Sequence, residues 1–185
     1  MKITILGSGT SQGVPVIACN CEVCRSSDPK DKRLRTSIMI EFNGKVIIID
    51  SGPDFRQQLL RENVQRMDAL ILTHEHKDHI AGLDDIRAFN YKMERKMDVY
   101  CTTDVQRHLK REFAYIFSGI SYPGIPEVEL HTIGLKNFVV EGLKFIPIEV
   151  LHYKLPVLGF RINDFTYITD ANFISEKEKE KRQEL

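Results

Sequence analysis

The apolar run Ala69-Leu70-Ile71-Leu72 passes without a break into Thr73-His74-Glu75-His76-Lys77-Asp78-His79, and this junction constrains the fold more than any other stretch of the chain. A short apolar run with polar residues after it reads as a buried strand. Three imidazoles and an aspartate follow it within six residues, which is metal-ligand chemistry placed where the strand ends. Alternate side chains of an extended segment point to one side, so His74 and His76 can share one ion. A bend after them aims Asp78 and His79 at a second. Imidazole nitrogen mixed with carboxylate oxygen is a donor set for zinc or manganese, with iron a third candidate, and paired ions of this kind serve hydrolysis.

The rest of the composition bounds that reading. A chain of 185 residues, 42% hydrophobic and without low-complexity stretches, is expected to form one domain over residues 1–185 with a real core. Its formal net charge is zero, so nucleic acid is not indicated as a partner by charge and any preference for phosphate has to come from the site itself. The apolar start Met1-Lys2-Ile3-Thr4-Ile5-Leu6 is too short for a signal-peptide core and reads as a first strand. No stretch approaches a membrane span, and the expectation is a soluble, cytoplasmic protein without a membrane partner.

Cys19, Cys21 and Cys24 are too tightly spaced and too odd in number for ordinary disulfide pairing. Coordination of one structural zinc explains them better, with a histidine or water as fourth ligand; free thiols are the alternative. Cys101, in Met97-Asp98-Val99-Tyr100-Cys101, reads as a small core residue.

Along the chain, strands are expected at 2–6, 37–42 and 45–50, the last two joined by the strong hairpin turn Asn43-Gly44. Helices are expected at 53–61, 83–93 and 104–117, and strands at 69–72 and 99–101. Later strands fall at 127–132, 138–140, 143–150, 157–162 and 165–169. Strands, then helices, then strands again point to an α/β fold of two sheets covered by helices.

These residues carry a family resemblance. His74-x-His76-x-Asp78-His79 after a hydrophobic strand, His152 at the end of a later strand and Asp170 at the end of another resemble the ligand series of the metallo-β-lactamase fold. Gly7-Ser8-Gly9-Thr10-Ser11-Gln12-Gly13-Val14-Pro15 before the cysteines, and His152-Tyr153-Lys154-Leu155 leading to Gly159-Phe160 and Thr169-Asp170, resemble the phosphoribosyl cyclic phosphate phosphodiesterase branch, which is akin to the tRNA-processing endonucleases. The resemblance implies an αββα sandwich of two mixed sheets flanked by helices. It implies that His74, His76 and His152 hold one divalent metal, that Asp78 and His79 help hold another, and that Asp170 bridges them. Members of the family carry one more histidine further along. Here a charged run over 175–184 precedes Leu185, so the expectation is a shortened form lacking the C-terminal strand and helix, inclined to self-associate as a homodimer through the edge left bare. The run itself reads as the solvated start of a helix.

The reaction expected from these ligands is metal-dependent hydrolysis of a small phosphodiester, cyclic or nucleotide-like. Two cations sharing a bridging hydroxide would supply the nucleophile, and the carboxylates of Asp78 and Asp170 would balance their charge. A thioester, lactone or lactam is the alternative substrate on the same fold, and a metal-binding domain without catalysis is the alternative class. Arg87 is a candidate clamp for substrate phosphate, with a surface ion pair to Asp84 or Glu94 as the competing role. Asp84 and Asp85 are candidates to orient ligand histidines. Gly7-Ser8-Gly9-Thr10 reads as a loop passing near the metals, the basic stretch 30–35 as a solvated loop with contact to a nucleotide tail as the alternative, and Tyr122-Pro123-Gly124-Ile125-Pro126 as a turn-rich loop between two halves or equally a rim of the active site. His108 and His131 lack partners at ligand spacing.

Overall fold

Isoleucine spacing decides the first layer. Residues 1–119 and 122–181 are described by the computed structural model, so Arg182, Gln183 and Glu184 of the charged run lie outside the described residues. The chain opens with β1 (Lys2–Gly7) and a one-turn helix α1 (Glu22–Arg25), then forms the hairpin of β2 (Ser37–Phe42) and β3 (Lys45–Ile49). Asn43 and Gly44 take φ of 49° and 74°, as a two-residue hairpin turn demands. There follow α2 (Phe55–Arg61), β4 (Ala69–Ile71), α3 (Lys77–Ile80), α4 (Arg87–Met93), β5 (Met97–Cys101), α5 (Thr103–Glu112) and β6 (Val128–Thr132). The second half is β7 (Phe138–Val140), β8 (Leu143–His152), β9 (Leu155–Ile162), β10 (Phe165–Tyr167) and α6 (Glu176–Glu180).

The first sheet runs β1-β2-β3-β4-β5-β6, antiparallel up to β3 and parallel beyond it. Successive side chains of a strand face opposite ways. Met39, Ile48, Leu70 and Val99 therefore meet Phe55, Leu59, Ile86, Phe89, Val105 and Leu109 from the helices on one face. Ile38, Ile40, Ile47, Ile49 and Ile71 face the other way, onto Phe145, Leu158, Phe160 and Ile162 of the second sheet. A sheet buried on both faces needs the near-continuous apolar strands this chain supplies.

The second sheet, ordered β10-β9-β8-β7, was expected to be mixed and is antiparallel throughout the described residues. Its strands are joined by two-residue turns at Glu141-Gly142, Tyr153-Lys154 and Asn163-Asp164, and links that short permit only antiparallel neighbours. Three other expectations change in detail. The helix expected over 83–93 begins as a 3-10 turn at Leu83–Ile86, where Gly82 is wedged so tightly that an added Cβ would meet Gly52 O at 2.4 Å and Phe55 Cβ at 2.6 Å. The helix expected to reach 117 ends at Glu112; its cap is the Thr102 hydroxyl, which accepts the Val105 N–H. The charged run is not wholly solvated: Glu178 of α6 is buried and its carboxylate accepts the Glu149 N–H of β8 at 2.9 Å. Ser175 caps that helix by accepting the Glu178 N–H.

Phe160 has no exposure and stands edge-on to both Phe138 and Phe145 in the layer between the sheets. Phe160→Ala is expected to lower unfolding free energy by about 3–5 kcal/mol in urea titration. Val139→Ala, at a position 60% exposed, is expected to change it by no more than about 0.5 kcal/mol.

Candidate metal centre

Parallel pairing of β3 with β4 puts two strand ends side by side, Ile49 opposite Ile71. Asp50 follows the first and Thr73-His74 closely follows the second. Asp50 has no exposure; its carboxylate accepts the Thr73 N–H at 2.9 Å and the Thr73 hydroxyl at 3.0 Å, and faces His79 Nδ1 at 2.8 Å. The Thr73 hydroxyl lies in turn 2.9 Å from His74 Nδ1. Having given its proton to Asp50, that hydroxyl accepts from the Nδ1–H of His74. Both imidazoles are thereby oriented through Nδ1, leaving Nε2 as the atom that faces inward.

Both inward atoms are buried without a hydrogen-bond partner. They lie 3.5 Å (His74) and 3.4 Å (His79) from one oxygen of Asp170, and the second is also 3.4 Å from Asp78. Leaving buried imidazole nitrogens unsatisfied is costly, and a cation at that point satisfies them together with the carboxylates. The donor set thus fits divalent metal. Two overlapping groups form, His74 with His76 and Asp170, and Asp78 with His79 and Asp170, each with ligand atoms within 4.8 Å of one another.

The charges follow from this packing. The contacts with His74 and then His79 hold Asp170 well below the usual carboxylate range. Burial disfavours charge on His79, but Asp50, Asp170 and Asp78 outweigh it and its pKa is pushed up to about 12. Burial and the neighbouring His74 ring push His76 below its ordinary value, which favours the neutral form a ligand needs. Burial works against the charge of Asp78, yet His79 beside it brings its pKa down.

His152, at the end of β8, places its ring 5.3 Å from that of His76 and 6.3 Å from that of His74, so it flanks the first group without joining the tighter set. Asp170 follows β10 with φ of 52°, and Asp50 has φ of 67°, left-handed conformations that turn each carboxylate out of its strand direction. The backbone is packed to match. A Cβ on Gly52 would lie 2.0 Å from Asp78 O, and Ser51 N–H donates to His79 O at 2.8 Å, so the turn after β3 is pressed directly on α3, the helix that bears Asp78 and His79. The two sheets are tied together here, Leu158 N–H donating to Thr73 O at 3.2 Å. The centre opens on a cleft of about 670 Å³ lined by Thr10, Ser11, His76, His152, Tyr153 and Asn172 among others, so the glycine-rich loop does pass the site.

Several expected roles fall elsewhere. Arg87 does not line this cleft. It pairs with Asp84 at 2.9 Å beside a separate pocket with Tyr91, Tyr122 and Gly124, because α4 carries it along the outer face of the sheet. Asp84 also accepts from the Tyr115 hydroxyl and orients no ligand histidine; Asp85 borders a groove with Leu60 and Phe89. The orienting carboxylate is Asp50, which the sequence reading passed over. Its signal was there: an aspartate directly ending the apolar run Val46-Ile47-Ile48-Ile49, as the histidines end theirs. In the basic stretch, Arg35 is structural, donating to Ser11 O at 2.8 Å and pairing with Asp54 at 2.9 Å. His131 stacks on Tyr100 and meets Asp98 at 2.6 Å, and His108 is half-buried on α5, its Nδ1 3.2 Å from Asp104 O.

The sulfurs of Cys19, Cys21 and Cys24 converge within 4.8 Å, and among the described residues no fourth ligand joins them. Val16 N–H donates to Cys24 Sγ at 3.4 Å, and Cys24 N–H caps onto Cys21 Sγ at 3.5 Å. That backbone donor, with Cys19 next, draws the Cys21 thiol below its ordinary value. Cys101 is buried in the helix-facing core, where burial pushes its thiol up to about 12.

The Beta-lactamase superfamily domain matches residues 45–185, more than half of the chain and the whole metal centre. The chain belongs to the β-lactamase superfamily. It is 41% identical to a solved diphosphatase from the PhnP family, with a TM-score of 0.89 over 97% of this chain and 69% of that one. The short form of human tRNase Z superposes with a TM-score of 0.72 at 16% identity, covering 98% of this chain and 73% of the other, which speaks for the fold alone. A Porphyromonas gingivalis protein named octanoyltransferase is 42% identical over 182 residues; the match takes in 97% of this chain but spans only 37% of that relative's length.

Asp50→Asn keeps an acceptor for the Thr73 N–H and removes the charge facing His79. Loss of an orienting carboxylate behind a ligand histidine is expected to weaken metal affinity by roughly tenfold to a hundredfold, read by competition with a chromogenic chelator.

Proposed function

We propose that this β-lactamase-superfamily hydrolase is a metal-dependent phosphodiesterase. The observation that carries the proposal is the pair of inward-facing imidazole nitrogens, buried and unpartnered, aimed at Asp170 between them. His74, His76 and Asp170 would hold one divalent ion and Asp78, His79 and Asp170 a second, with His152 completing the first; zinc and manganese suit the donor set, and iron is the third candidate. Bound there, such ions supply Lewis acidity, lowering the pKa of water toward ~7 and drawing charge from phosphoryl oxygens.

The protein's own part is positioning and charge. Asp50 and Thr73 fix the two histidine rings from behind, so the donor atoms need no reorganisation when a cation arrives. Asp78 and Asp170 bring two negative charges into a half-buried site, which offsets the charge of paired cations and leaves a net field suited to an anionic diester. The cleft above, lined by Thr10, Ser11 and Asn172 among others, offers hydrogen-bonding groups to the ester's alcohol arm. The likeness to a diphosphatase supports phosphorus as the reacting centre. The name of the Porphyromonas gingivalis relative favours a second reading, an acyl substrate, but the greater part of that protein lies outside the match. Cys19, Cys21 and Cys24 would hold a third, structural zinc that ties the loop after β1 together.

Protein reloaded with zinc or manganese is expected to hydrolyse bis(p-nitrophenyl) phosphate at least tenfold faster than a p-nitrophenyl thioester, and to lose the activity to a chelator. Faster thioester cleavage favours the acyl reading, and no cleavage of either favours a domain that binds metal without catalysis. His76→Ala is expected to lower metal content by elemental analysis and abolish turnover; unchanged metal content sinks the ligand assignment. Cys24→Ser should remove about one zinc per chain while the other ions stay, and equal zinc in both forms argues against a thiolate site.

A further inference from the structure

Tyr153 is 79% exposed at the lip of the cleft, its ring 5.4 Å from that of His152. Single exposed aromatics are common and by themselves mean little. Its place beside His152 in the cleft lining makes this one informative. Tyr153 is the first residue of the two-residue turn between β8 and β9, with φ of 56°, a left-handed conformation that glycine or asparagine adopts freely and a bulky aromatic does not. The corresponding turns use Glu141 between β7 and β8, at φ of 50°, and Asn163 between β9 and β10, at φ of 52°, so the turn itself sets this conformation.

The ring's base is anchored. Asn172 Oδ1 accepts the Tyr153 N–H at 2.8 Å, and Asn172 N–H donates to Leu151 O at 2.9 Å, which fastens the turn to the segment that carries Asp170. A row of rings then leads outward from the buried centre: centroids step 4.6 Å from His74 to His76, 5.3 Å to His152 and 5.4 Å to Tyr153. His74 and His76 belong to the first ligand group, His152 flanks it, and the outermost ring, largely exposed, stands one step beyond at the cleft. Thr10, Ser11 and Asn172 border the interval with hydrogen-bonding groups. With a net charge of zero, the chain has no long-range field to gather its substrate, so contact chemistry at the lip carries recognition.

We infer that Tyr153 is a stacking plate for a planar heteroaromatic ring on the alcohol arm of the ester, making the substrate class nucleoside phosphodiesters in preference to esters of aliphatic alcohols. The inference rests on the phosphodiesterase reading for its phosphate but not for its test, which reads binding. Metal-loaded protein is titrated calorimetrically with adenosine 5′-monophosphate and with ribose 5-phosphate, which differ only in the base. The wild type is expected to prefer the adenylate by about tenfold, the scale of one base stacked on an aromatic side chain. Tyr153→Phe keeps that ratio. Tyr153→Gly, which relieves the left-handed strain and is checked for folding by its melting temperature, brings the ratio close to one. Equal affinity in the wild type, binding of neither ligand, or a preference that survives in Tyr153→Gly overturns the inference. Preferential binding without cleavage of any diester would fault the hydrolytic reading and leave the stacking plate standing; cleavage without the preference does the reverse.

Discussion

The carboxylate of Asp50 sits at zero exposure between two strand ends, and the geometry of the centre depends on how its charge is met. A buried carboxylate is affordable only when hydrogen bonds and opposite charge surround it. Here the Thr73 N–H, the Thr73 hydroxyl and the His79 imidazole do so. Each of these partners is itself part of the site or one bond away from it. Satisfying Asp50 therefore aligns His79 directly and His74 through Thr73, and the inward nitrogens are left facing a shared carboxylate. The same charge outweighs burial in raising the proton affinity of His79, which marks the strength of the negative field a cation would enter.

That arrangement is possible because the first sheet turns from antiparallel to parallel at β3. In an antiparallel pair, the ends following Ile49 and Ile71 would lie at opposite edges; in the parallel pair they lie side by side. The cost is a strand pair buried on both faces, met by apolar residues in every position of β4 and by isoleucines split between the two cores. The second sheet brings His152 and Asp170 to the same edge through its short turns. The hydrogen bond from Leu158 to Thr73 and the aromatic layer of Phe138, Phe145 and Phe160 hold the sheets in register. Four of the proposed ligands, His74, His76, Asp78 and His79, come from one side of a seam and two, His152 and Asp170, from the other, so core packing and site geometry are one problem.

The site also concentrates backbone strain. Asp50, Tyr153 and Asp170 are all non-glycine residues at positive φ, and they stand behind, beside and within the centre. Such conformations persist where the surroundings over-determine them. Asp50 and Asp170 are held by contacts to histidines, whereas Asn43, Glu141, Tyr153 and Asn163 stand first in two-residue hairpin turns, which call for positive φ. The distinction separates strain held by contacts within the candidate centre, at Asp50 and Asp170, from strain that the turn geometry alone explains.

Periodicity and turn chemistry made most of the fold legible. The strands of the first hairpin, the Asn43-Gly44 turn and the strand before His74 fall where the sequence places them, since local sterics and alternation decide them. The motif His74-x-His76-x-Asp78-His79 likewise marks out the residues that converge on the candidate centre, because their spacing is local. Three matters were settled only in the folded chain. Helix ends moved, with Gly82 pressed against Gly52 and the last expected helix running from Thr103 to Glu112 under a Thr102 cap. Arg87 turned to Asp84 and away from the cleft, since the face of α4 on which it lies is fixed by how Phe89 packs. Asp50 was passed over as the end of a strand, although 29 residues separate it from the His79 that gives it meaning. A sequence displays chemistry along the chain, and a ligand motif is of that kind. The partner that orients it is chosen by distance in space, and only the parallel pairing of β3 with β4 brings that distance down to a hydrogen bond.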